Sequence, residues 1–254
     1  MIRLFTHELR VQQLLFWRNR EAAFFSFLFP IILLVLLGSV YGDRRIEGVR
    51  GSTYLLAGLI GYGVAATAFA SLAITLVVRR EAGLLKRVRG TPLSPAVYLA
   101  AVIGSMVIVI ALQAAAQVLI GRFVLDADWP ASPASFVAAL IMGAASFAAL
   151  GLAITAVVRT GEGSSAVVNA VYLPMAFISG AFFSPREMPR FLEVISEALP
   201  LTYLLRLIRS TFIEGEVLSS APGAIAAVLV WGLFGLVIAA RMFRWEPREG
   251  MTGA

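Results

Sequence analysis

The sequence predicts an all-α polytopic membrane protein, and three observations carry that prediction. Of the 254 residues, 59% are hydrophobic and only 14% are charged, against roughly 25% charged residues in soluble domains. The mean hydropathy is +0.87. Six apolar stretches recur along the chain, each close to the roughly 20 residues that a spanning helix needs. Six such helices use so much of the chain that no separate soluble domain fits between them.

The elements follow in order from the hydropathy. Residues 1–23 carry apolar side chains on two sides at helical spacing, which predicts an interfacial helix that packs between lipid and protein. A six-span transmembrane domain then covers 24–241, and 242–254 form a cytoplasmic tail. The predicted spans are 24–41, 54–78, 97–121, 134–158, 166–183 and 221–240. The fifth span is the weakest, because Asn169, Pro174 and Gly180 lie inside it.

The distribution of charge predicts the orientation of these spans. With both termini in the cytoplasm, the cytoplasmic segments hold 13 basic and 6 acidic residues, and the external loops hold 8 basic and 9 acidic residues. Cytoplasmic loops carry the excess of Lys and Arg in membrane proteins. The opposite orientation would place the basic cluster at 79–89 outside, so we expect both termini in the cytoplasm.

Composition excludes several kinds of chemistry. The chain has no cysteine and a single histidine, His7, which removes thiol chemistry and most metal sites. The net charge of +6 reflects basic cytoplasmic ends, and we expect no nucleic-acid partner. Lys86 is the only lysine and Arg87 follows it, so the chain lacks the Gly-Lys-Ser/Thr loop that binds nucleotide phosphates. We therefore expect no enzyme and no cofactor in this chain, and any ATPase must be another polypeptide.

The loop between the second and third spans combines a short helix-forming run with a basic character. Leu84, Leu85 and Val88 form one small apolar face, and a turn at Gly90-Thr91-Pro92 breaks the helix. Two hypotheses stay open from composition. The helix docks in a groove on a partner protein, or the basic loop rests on anionic lipid headgroups.

The segment after the fifth span predicts a hairpin on the outer side. The chain turns at Ser184-Pro185, residues 187–198 favour a short helix, and Pro200 ends it. Residues 201–213 are apolar but too short to span a membrane. We therefore expect an extracellular re-entrant or interfacial hairpin between spans five and six, which forms a lid over the spans.

A short repeat links two of the predicted cytoplasmic helix ends. Residues 72–80 have the sequence LAITLVVRR, and residues 152–160 have the sequence LAITAVVRT. One hypothesis makes them equivalent helix ends around a shared pathway. The favoured hypothesis is that Ala, Val, Ile and Arg are simply the usual composition of such ends.

Two signatures resemble those of a known family, the membrane subunit of ABC type-2 transporters. The first is Arg80-Glu81, then Gly83, Leu84 and Leu85, then the sequence TPLS at 91–94, although the family usually has Thr where this chain has Leu84. The second is the sequence FISGAFF at 177–183 with Pro185 and Pro189, then LPLTY at 199–203 and Arg206 or Arg209. With six spans and the N-terminal arm, the resemblance covers nearly the whole chain.

The resemblance implies the permease subunit of an ATP-driven exporter in a bacterial inner membrane. It implies a second permease chain, identical or a paralogue, and two ATPase subunits that hold ATP and Mg. The helix between spans two and three would be a coupling helix, with Glu81 facing an arginine of the ATPase. The implied coupling residues are Arg80, Glu81, Gly83, Leu84, Leu85, Arg87, Thr91 and Pro92. The implied extracellular gate residues are Phe182, Phe183, Pro185, Pro200 and Tyr203.

Uncharged polar residues inside the predicted spans are candidates for the substrate path. They are Gln113, Gln117, Asn169, Thr67 and Ser71. The favoured alternative for the glutamine pair is hydrogen bonding between helices, at about 0.6–2 kcal/mol each. No charged residue lies in the middle of a predicted span, which disfavours ion-coupled carriers and favours hydrophobic or amphipathic cargo. A drug or antibiotic leads over a lipid or glycan, and a stand-alone secondary transporter or a non-transporting scaffold or immunity protein are the other hypotheses.

Overall fold

A computed structural model describes residues 2–158, 160–184 and 188–246. Its helices, in chain order, are α1 Ile2–Arg18, α2 Arg20–Tyr41, α3 Gly51–Glu81, α4 Leu84–Arg89, α5 Pro95–Val124, α6 Pro133–Ile154, α7 Gly161–Ile178, α8 Arg190–Ser196, α9 Pro200–Phe212 and α10 Pro222–Met242. Between α2 and α3, β1 (Arg45–Ile46) and β2 (Val49–Arg50) form a small antiparallel hairpin. A short 3-10 turn, Leu218–Ser220, precedes α10.

The prediction of an all-α polytopic membrane protein is confirmed. In the described part of the chain, five helices are long and apolar enough to cross a membrane, namely α2, α3, α5, α6 and α10. The helix at the fifth predicted position, α7, has 18 residues and begins with the polar sequence GEGSS. It is therefore a shorter and less apolar pass through the bundle than the other five, and the count of six spans stays a prediction.

Helix α3 is the centre of the bundle. Buried residues make up 89% of its most apolar stretch, against 17% for α10 at the periphery. Helices α2, α5, α6, α7 and α9 all pack against it. Helix α9 approaches closely at Gly61, where a Cβ would lie 2.5 Å from Leu205 Cδ2 and would displace that leucine side chain. The burial of α3 explains why its sequence is apolar on every side.

Two wide helical turns meet where α2 passes α3. Helix α2 has a π-helical turn at Phe24–Leu28, and α3 has one at Ala66–Ser71. The Thr67 hydroxyl donates to the Ser26 carbonyl across 3.4 Å and so joins the two turns. Such turns are often found at functional sites of helical proteins.

One end of the bundle gathers α1, α4 and the segment after α10. The Tyr98 ring at the start of α5 lies 6.3 Å from the Trp245 ring, centroid to centroid, and Arg89 of α4 lies 3.8 Å from Glu246. Helix α1 runs along α5, where Gln13 Nε2 donates to the Ser105 carbonyl across 2.8 Å. We name this the α4 end. The first helix and the segment after the last helix thus lie at the same end of the described bundle.

After α7 the described chain forms two helices, α8 and α9, and α9 lies deeper than the predicted lid. Pro200 follows α8 and is also the first residue of α9. It suits that position because the fixed φ of proline matches the first turn of a helix. Nearly every residue of α9 is buried, and the helix packs against α3, α6 and α10. Leu204 fits against Gly143, where a Cβ would lie 2.5 Å from Leu204 Cδ1. Helix α9 is thus part of the core.

Candidate functional site

Three consecutive charged residues at the end of α3 each hold a different part of the bundle. The first is Arg79, whose Nη1 donates to Gln12 Oε1 of α1 across 2.6 Å and to the Tyr98 hydroxyl of α5 across 2.9 Å. Hydrogen bonds from a charged donor are stronger than neutral ones. Arg79 therefore joins the N-terminal helix and α5 to the end of α3, immediately before α4.

Arg80 holds the end of α6. Its side chain is buried, and its guanidinium donates to the carbonyls of Thr155 and Val158 across 2.8 and 2.6 Å. The last carbonyls of a helix lack partners within the helix, so an arginine there satisfies them and complements the helix dipole. The acceptors belong to the second copy of the LAIT repeat and the donor to the first. The two repeated segments are therefore in direct contact.

Glu81 holds the beginning of α7. Its Oε2 accepts a hydrogen bond from the Gly161 backbone N–H across 2.5 Å. A carboxylate is stabilised at a helix N-terminus, where backbone N–H groups are free and the dipole is positive. The sequence assigned Glu81 to an arginine of the ATPase. The structure gives its carboxylate a partner inside the chain.

Helix α4 follows directly and turns a single leucine outward. Gly83 precedes it with a φ of +69°, a left-handed conformation that favours glycine. Leu85 is fully buried against the bundle and Val88 half-buried, whereas Leu84 is 44% exposed and Arg87 is exposed. The expected shared apolar face of Leu84, Leu85 and Val88 is wrong. Successive helical residues point about 100° apart, so Leu84 and Leu85 serve different surfaces.

The residues after α4 shape the loop that leads to α5. Thr91 Oγ1 donates to the Val88 carbonyl across 2.7 Å, which ends α4, and the exposed Pro92 follows. Ser94 Oγ accepts from the Val97 backbone N–H across 3.3 Å and caps α5. The Thr-Pro-Leu-Ser signature therefore ends α4 and begins α5.

The two glutamines of α5 are buried between helices. Gln117 Nε2 donates to the Pro30 carbonyl of α2 across 3.4 Å, and Gln113 Nε2 lies 3.5 Å from Gln117 Oε1. Gln113 also packs on Gly63 of α3, where a Cβ would overlap its amide. Within the described chain, Gln113 Oε1 has no hydrogen-bond partner. These contacts join α5 to α2 and α3.

The other polar candidates divide into two places. Thr67 is fully buried and bonds to α2, and Ser71 is buried one turn later on α3. Asn169 is half-buried on α7, and its Nδ2 donates to Ser165 Oγ of the same helix across 3.2 Å. Thr67 and Gln117 both reach α2, at Ser26 and Pro30, whereas the structure does not bring Asn169 to them. Their role as substrate contacts stays a prediction.

The predicted outer gate residues have different environments. Phe182 is buried, with its ring centroid 5.2 Å from that of Tyr62 and 4.8 Å from that of Phe177, whereas Phe183 is half-exposed. Tyr203 is half-buried, and its hydroxyl donates to the Glu197 carbonyl across 2.7 Å. Pro200 is buried at the start of α9. Pro185 lies outside the described residues.

A half-buried arginine near this end belongs to the second signature, which gave it no role. Arg209 of α9 donates to the Gly180 carbonyl across 2.5 Å, and its guanidinium carbon lies 4.0 Å from the centroid of the Tyr54 ring. Beside it, Ser184 Oγ donates to Glu47 Oε1 across 2.5 Å. A cation over an aromatic ring is attracted to it, more strongly when water is excluded. Together these contacts hold the segment after α7. The sequence signals for Arg209 were its place in the second signature and its position within an apolar run.

The loops at the far end carry an exposed charge cluster. Asp126 Oδ2 accepts from Arg50 Nη1 across 2.5 Å, and Arg122 Nη1 lies 3.2 Å from Asp126 Oδ1. The hydrogen bond and charge of Arg50 hold the pKa of Asp126 below its usual value. Among the residues described, no group of three or more His, Asp or Glu side chains could hold a metal ion.

Comparison with known proteins gives the family. A search of curated proteins finds no match for this chain. The family model described as ABC-2 type transporter matches residues 4–213, a region that includes α1 to α9 and both signature segments. This match covers well over half of the chain, and the resemblance stated from the sequence is confirmed. The chain belongs to the ABC-2 type transporter family, as the membrane-embedded permease subunit of an ABC transporter.

Proposed function

We propose that this permease exports hydrophobic or amphipathic cargo, with a drug or antibiotic ahead of a lipid or glycan, from a bacterial cell. Two copies of a separate ABC ATPase, which bind ATP and Mg, drive alternating access in a pair of permease chains. The observation that carries this proposal is the contact set of Arg79, Arg80 and Glu81. These residues connect α4 to α1, α5, α6 and α7 within a single turn of α3.

Such an arrangement suits the transmission of force from α4 to the bundle. A displacement of α4 acts on the end of α3, and charge-assisted hydrogen bonds carry it to α1, α5, α6 and α7. Buried Leu85 anchors α4 to the bundle, so the two move together. On the outer surface, Leu84 lies among the exposed Lys86 and Arg87. An exposed leucine with adjacent cations fits a groove that combines apolar walls with acidic edges.

The cargo class rests on the interior of the bundle. Thr67, Gln113 and Gln117 bond to α2 or to each other, which leaves mainly apolar side chains to line a path. Apolar walls bind apolar surface through burial and offer few partners to a charged group. Glu81 lies at a helix terminus, away from the middle of the bundle. This position is consistent with transport that is driven by an energy source outside this chain.

The exposed leucine of α4, Leu84, provides the first test. The permease is reconstituted in lipid nanodiscs with its partner ABC ATPase, and ATPase affinity and coupled ATP turnover are measured. We expect Leu84→Ala to weaken ATPase binding about tenfold, the effect of losing about 1.4 kcal/mol at an interface, with an unchanged unfolding temperature. The control Leu233→Ala removes another exposed leucine, from α10, and should change neither. Unchanged affinity, turnover and export in Leu84→Ala would exclude α4 as the docking helix.

Replacement of Glu81 distinguishes a role in transmitting movement to the bundle from a role in docking the ATPase. If its carboxylate acts on Gly161 of α7, Glu81→Ala should leave ATPase affinity unchanged and lower the amount of cargo exported per ATP hydrolysed. If it contacts the ATPase, affinity itself should fall. Glu162→Ala removes the neighbouring exposed carboxylate in the first turn of α7 and is the matched control.

A further inference from the structure

Helix α1 packs on the bundle through a single face. Phe5 and Leu9 lie against Gly104 of α5, and Gln12 and Phe16 are buried. These four residues of α1 recur at the spacing of one side of a helix. The rest of the circumference of α1 is therefore turned away from the bundle.

The sides that are turned away from the bundle differ in their chemistry. Leu4, Val11 and Leu15 share one flank at helical spacing, and both leucines are 46% exposed. Arg3 and Arg10 are exposed and lie two helical turns apart. They point away from the bundle, because Arg10 precedes the buried Gln12 by two residues, about 200° around the helix. Helix α1 thus has an apolar flank beside a cationic face.

The position of α1 places both of these faces at the surface of the membrane. Membrane-crossing α2 begins at Arg20, directly after α1 ends at Arg18. Helix α5 has 30 residues and rises about 45 Å, the thickness of a bilayer with its headgroups. Its first turns therefore lie among the headgroups. Tyr98 of these turns binds the same Arg79 as Gln12 of α1, so α1 lies beside them.

A bilayer that contains anionic phospholipid matches both faces at once. Its hydrocarbon takes up the leucine flank while its phosphates accept hydrogen bonds from the arginines. In the part of the chain that the structure describes, neither Arg3 nor Arg10 forms an ion pair. The only carboxylate of α1, that of Glu8, accepts from Gln12 Nε2 across 2.5 Å instead. A two-fold pairing of chains through this face would bring like charges together, which is unfavourable.

We propose that Arg3 and Arg10 bind the headgroups of anionic phospholipids, and that this contact regulates the permease through Gln12. Gln12 is the residue of α1 that reaches the end of α3, where its Oε1 accepts from Arg79 Nη1 across 2.6 Å. A shift of α1 toward the headgroups therefore acts on Arg79. This second step rests on the proposed function, in which the end of α3 transmits the movement of α4.

Photocrosslinking tests the headgroup site in the permease alone, without ATPase or ATP. The full chain is placed in nanodiscs of phosphatidylcholine with a phosphatidylglycerol that carries a photoreactive headgroup. Adducts are mapped by mass spectrometry of chymotryptic peptides, because trypsin would cut at the arginines under test. We expect adducts on α1 in the original chain. The double variant Arg3→Gln, Arg10→Gln should lower them at least about fivefold, the preference that one arginine near an anionic surface contributes.

A second double variant, Lys86→Gln with Arg87→Gln, is the matched control. It removes the same charge from the exposed side of α4 at the same end of the bundle, and it should leave the adducts on α1 unchanged. An equal loss in both double variants would overturn the proposal, because net charge alone would then attract the lipid. Unchanged adducts with a lower ATPase affinity in the α1 variant would assign this face to the ATPase. Efficient disulfide formation between two copies of Arg10→Cys would assign it to a second chain.

ATP turnover tests the regulatory step. In nanodiscs with the partner ABC ATPase, we expect coupled turnover to depend on the fraction of phosphatidylglycerol. Gln12→Leu should lose this dependence but keep the adducts on α1, and Gln12→Glu, which keeps an oxygen for Arg79, should retain it. Turnover that ignores the lipid in the original chain, or an unchanged dependence in Gln12→Leu, would refute the regulation. Absence of coupled turnover in every lipid would instead contradict the proposed function, and the adducts on α1 would still decide the headgroup site.

Discussion

At the end of α3, a buried arginine provides hydrogen bonds that the end of α6 lacks. Replacement of Arg80 by Met keeps much of the side-chain volume but removes the donors to Thr155 and Val158. Leaving buried carbonyls without donors costs about 1–3 kcal/mol. We expect Arg80→Met to lower the free energy of unfolding by about that amount, measured by tryptophan fluorescence in detergent. Arg87→Met, on the exposed side of α4, should change it by less than about 0.5 kcal/mol.

The charge cluster at the far end predicts a small pH effect. The Arg50 hydrogen bond lowers the pKa of Asp126 in the folded chain. The stabilisation is therefore present above the unfolded pKa of about 3.9 and is lost as the pH falls below it through the folded value. We expect Asp126→Asn to reduce the loss of unfolding temperature between pH 5 and pH 3.

Salt and a control variant complete this test. Both partners of the ion pair are more than half exposed, so high salt should screen the effect. The difference between Asp126→Asn and the original chain should therefore shrink at about 1 M salt. Glu216→Gln, in an exposed loop, should follow the original chain. Identical acid profiles for all three proteins at low salt would mean that the pair does not stabilise the fold.

Hydropathy predicted the presence of the long helices more accurately than the residues at which they begin and end. The stretch predicted as the fifth span began at 166, but α7 begins at Gly161, because Thr160 Oγ1 accepts from the Gly163 backbone N–H and caps a polar first turn. The stretch was predicted to end at 183, but α7 ends at Ile178, and Gly180 adopts a φ of +84°. Small polar residues and a left-handed glycine are invisible to hydropathy. The two strands of the β hairpin have two residues each, which is too short for any periodic signal.

Sequence reasoning about the candidate site was limited in the same way, because it could not place side chains. The family signature contains Arg80, Glu81 and Leu84, which are neighbours in the sequence. The direction of each side chain depends on contacts distant in sequence, such as Arg80 with Val158 and Glu81 with Gly161. Periodicity over six residues could not separate Leu84 from Leu85, because either could face the bundle. Only tertiary packing distinguishes the residue that anchors α4 from the one that faces outward.

The contact between α3 and the segment after α7 depends on one glycine. A Cβ at Gly58 would overlap the Ala181 carbonyl, which is backbone and cannot rotate away. We expect Gly58→Ala to lower the free energy of unfolding by about 1–3 kcal/mol, the usual cost of overpacking. At Gly223 of α10 nothing lies within 4 Å of a Cβ, so Gly223→Ala should be neutral or slightly stabilising. Equal effects of both changes would mean that the two segments do not pack closely.

For the whole molecule, the position of the α4 end relative to the membrane is the decisive property. Arg89 with Glu246, and Tyr98 with Trp245, place α4 and the segment after α10 at one end. The loop with Asp126 and the β hairpin lies at the other end, where Arg50 bonds to Asp126. Basic residues are retained on the cytoplasmic side, and the 79–89 cluster therefore predicts that the α4 end faces the cytoplasm.

Single cysteines test this orientation cleanly, because the native chain has none. We expect Glu216→Cys, in the loop before α10, to react in intact cells with a maleimide that cannot cross membranes. Lys86→Cys, on the exposed side of α4, should react only after the cells are permeabilised. The cysteine-free original chain gives the background. Reaction of Lys86→Cys in intact cells, with Glu216→Cys protected, would reverse the orientation. It would also exclude α4 as the site of a cytoplasmic ATPase, because the two properties depend on the same end of the bundle.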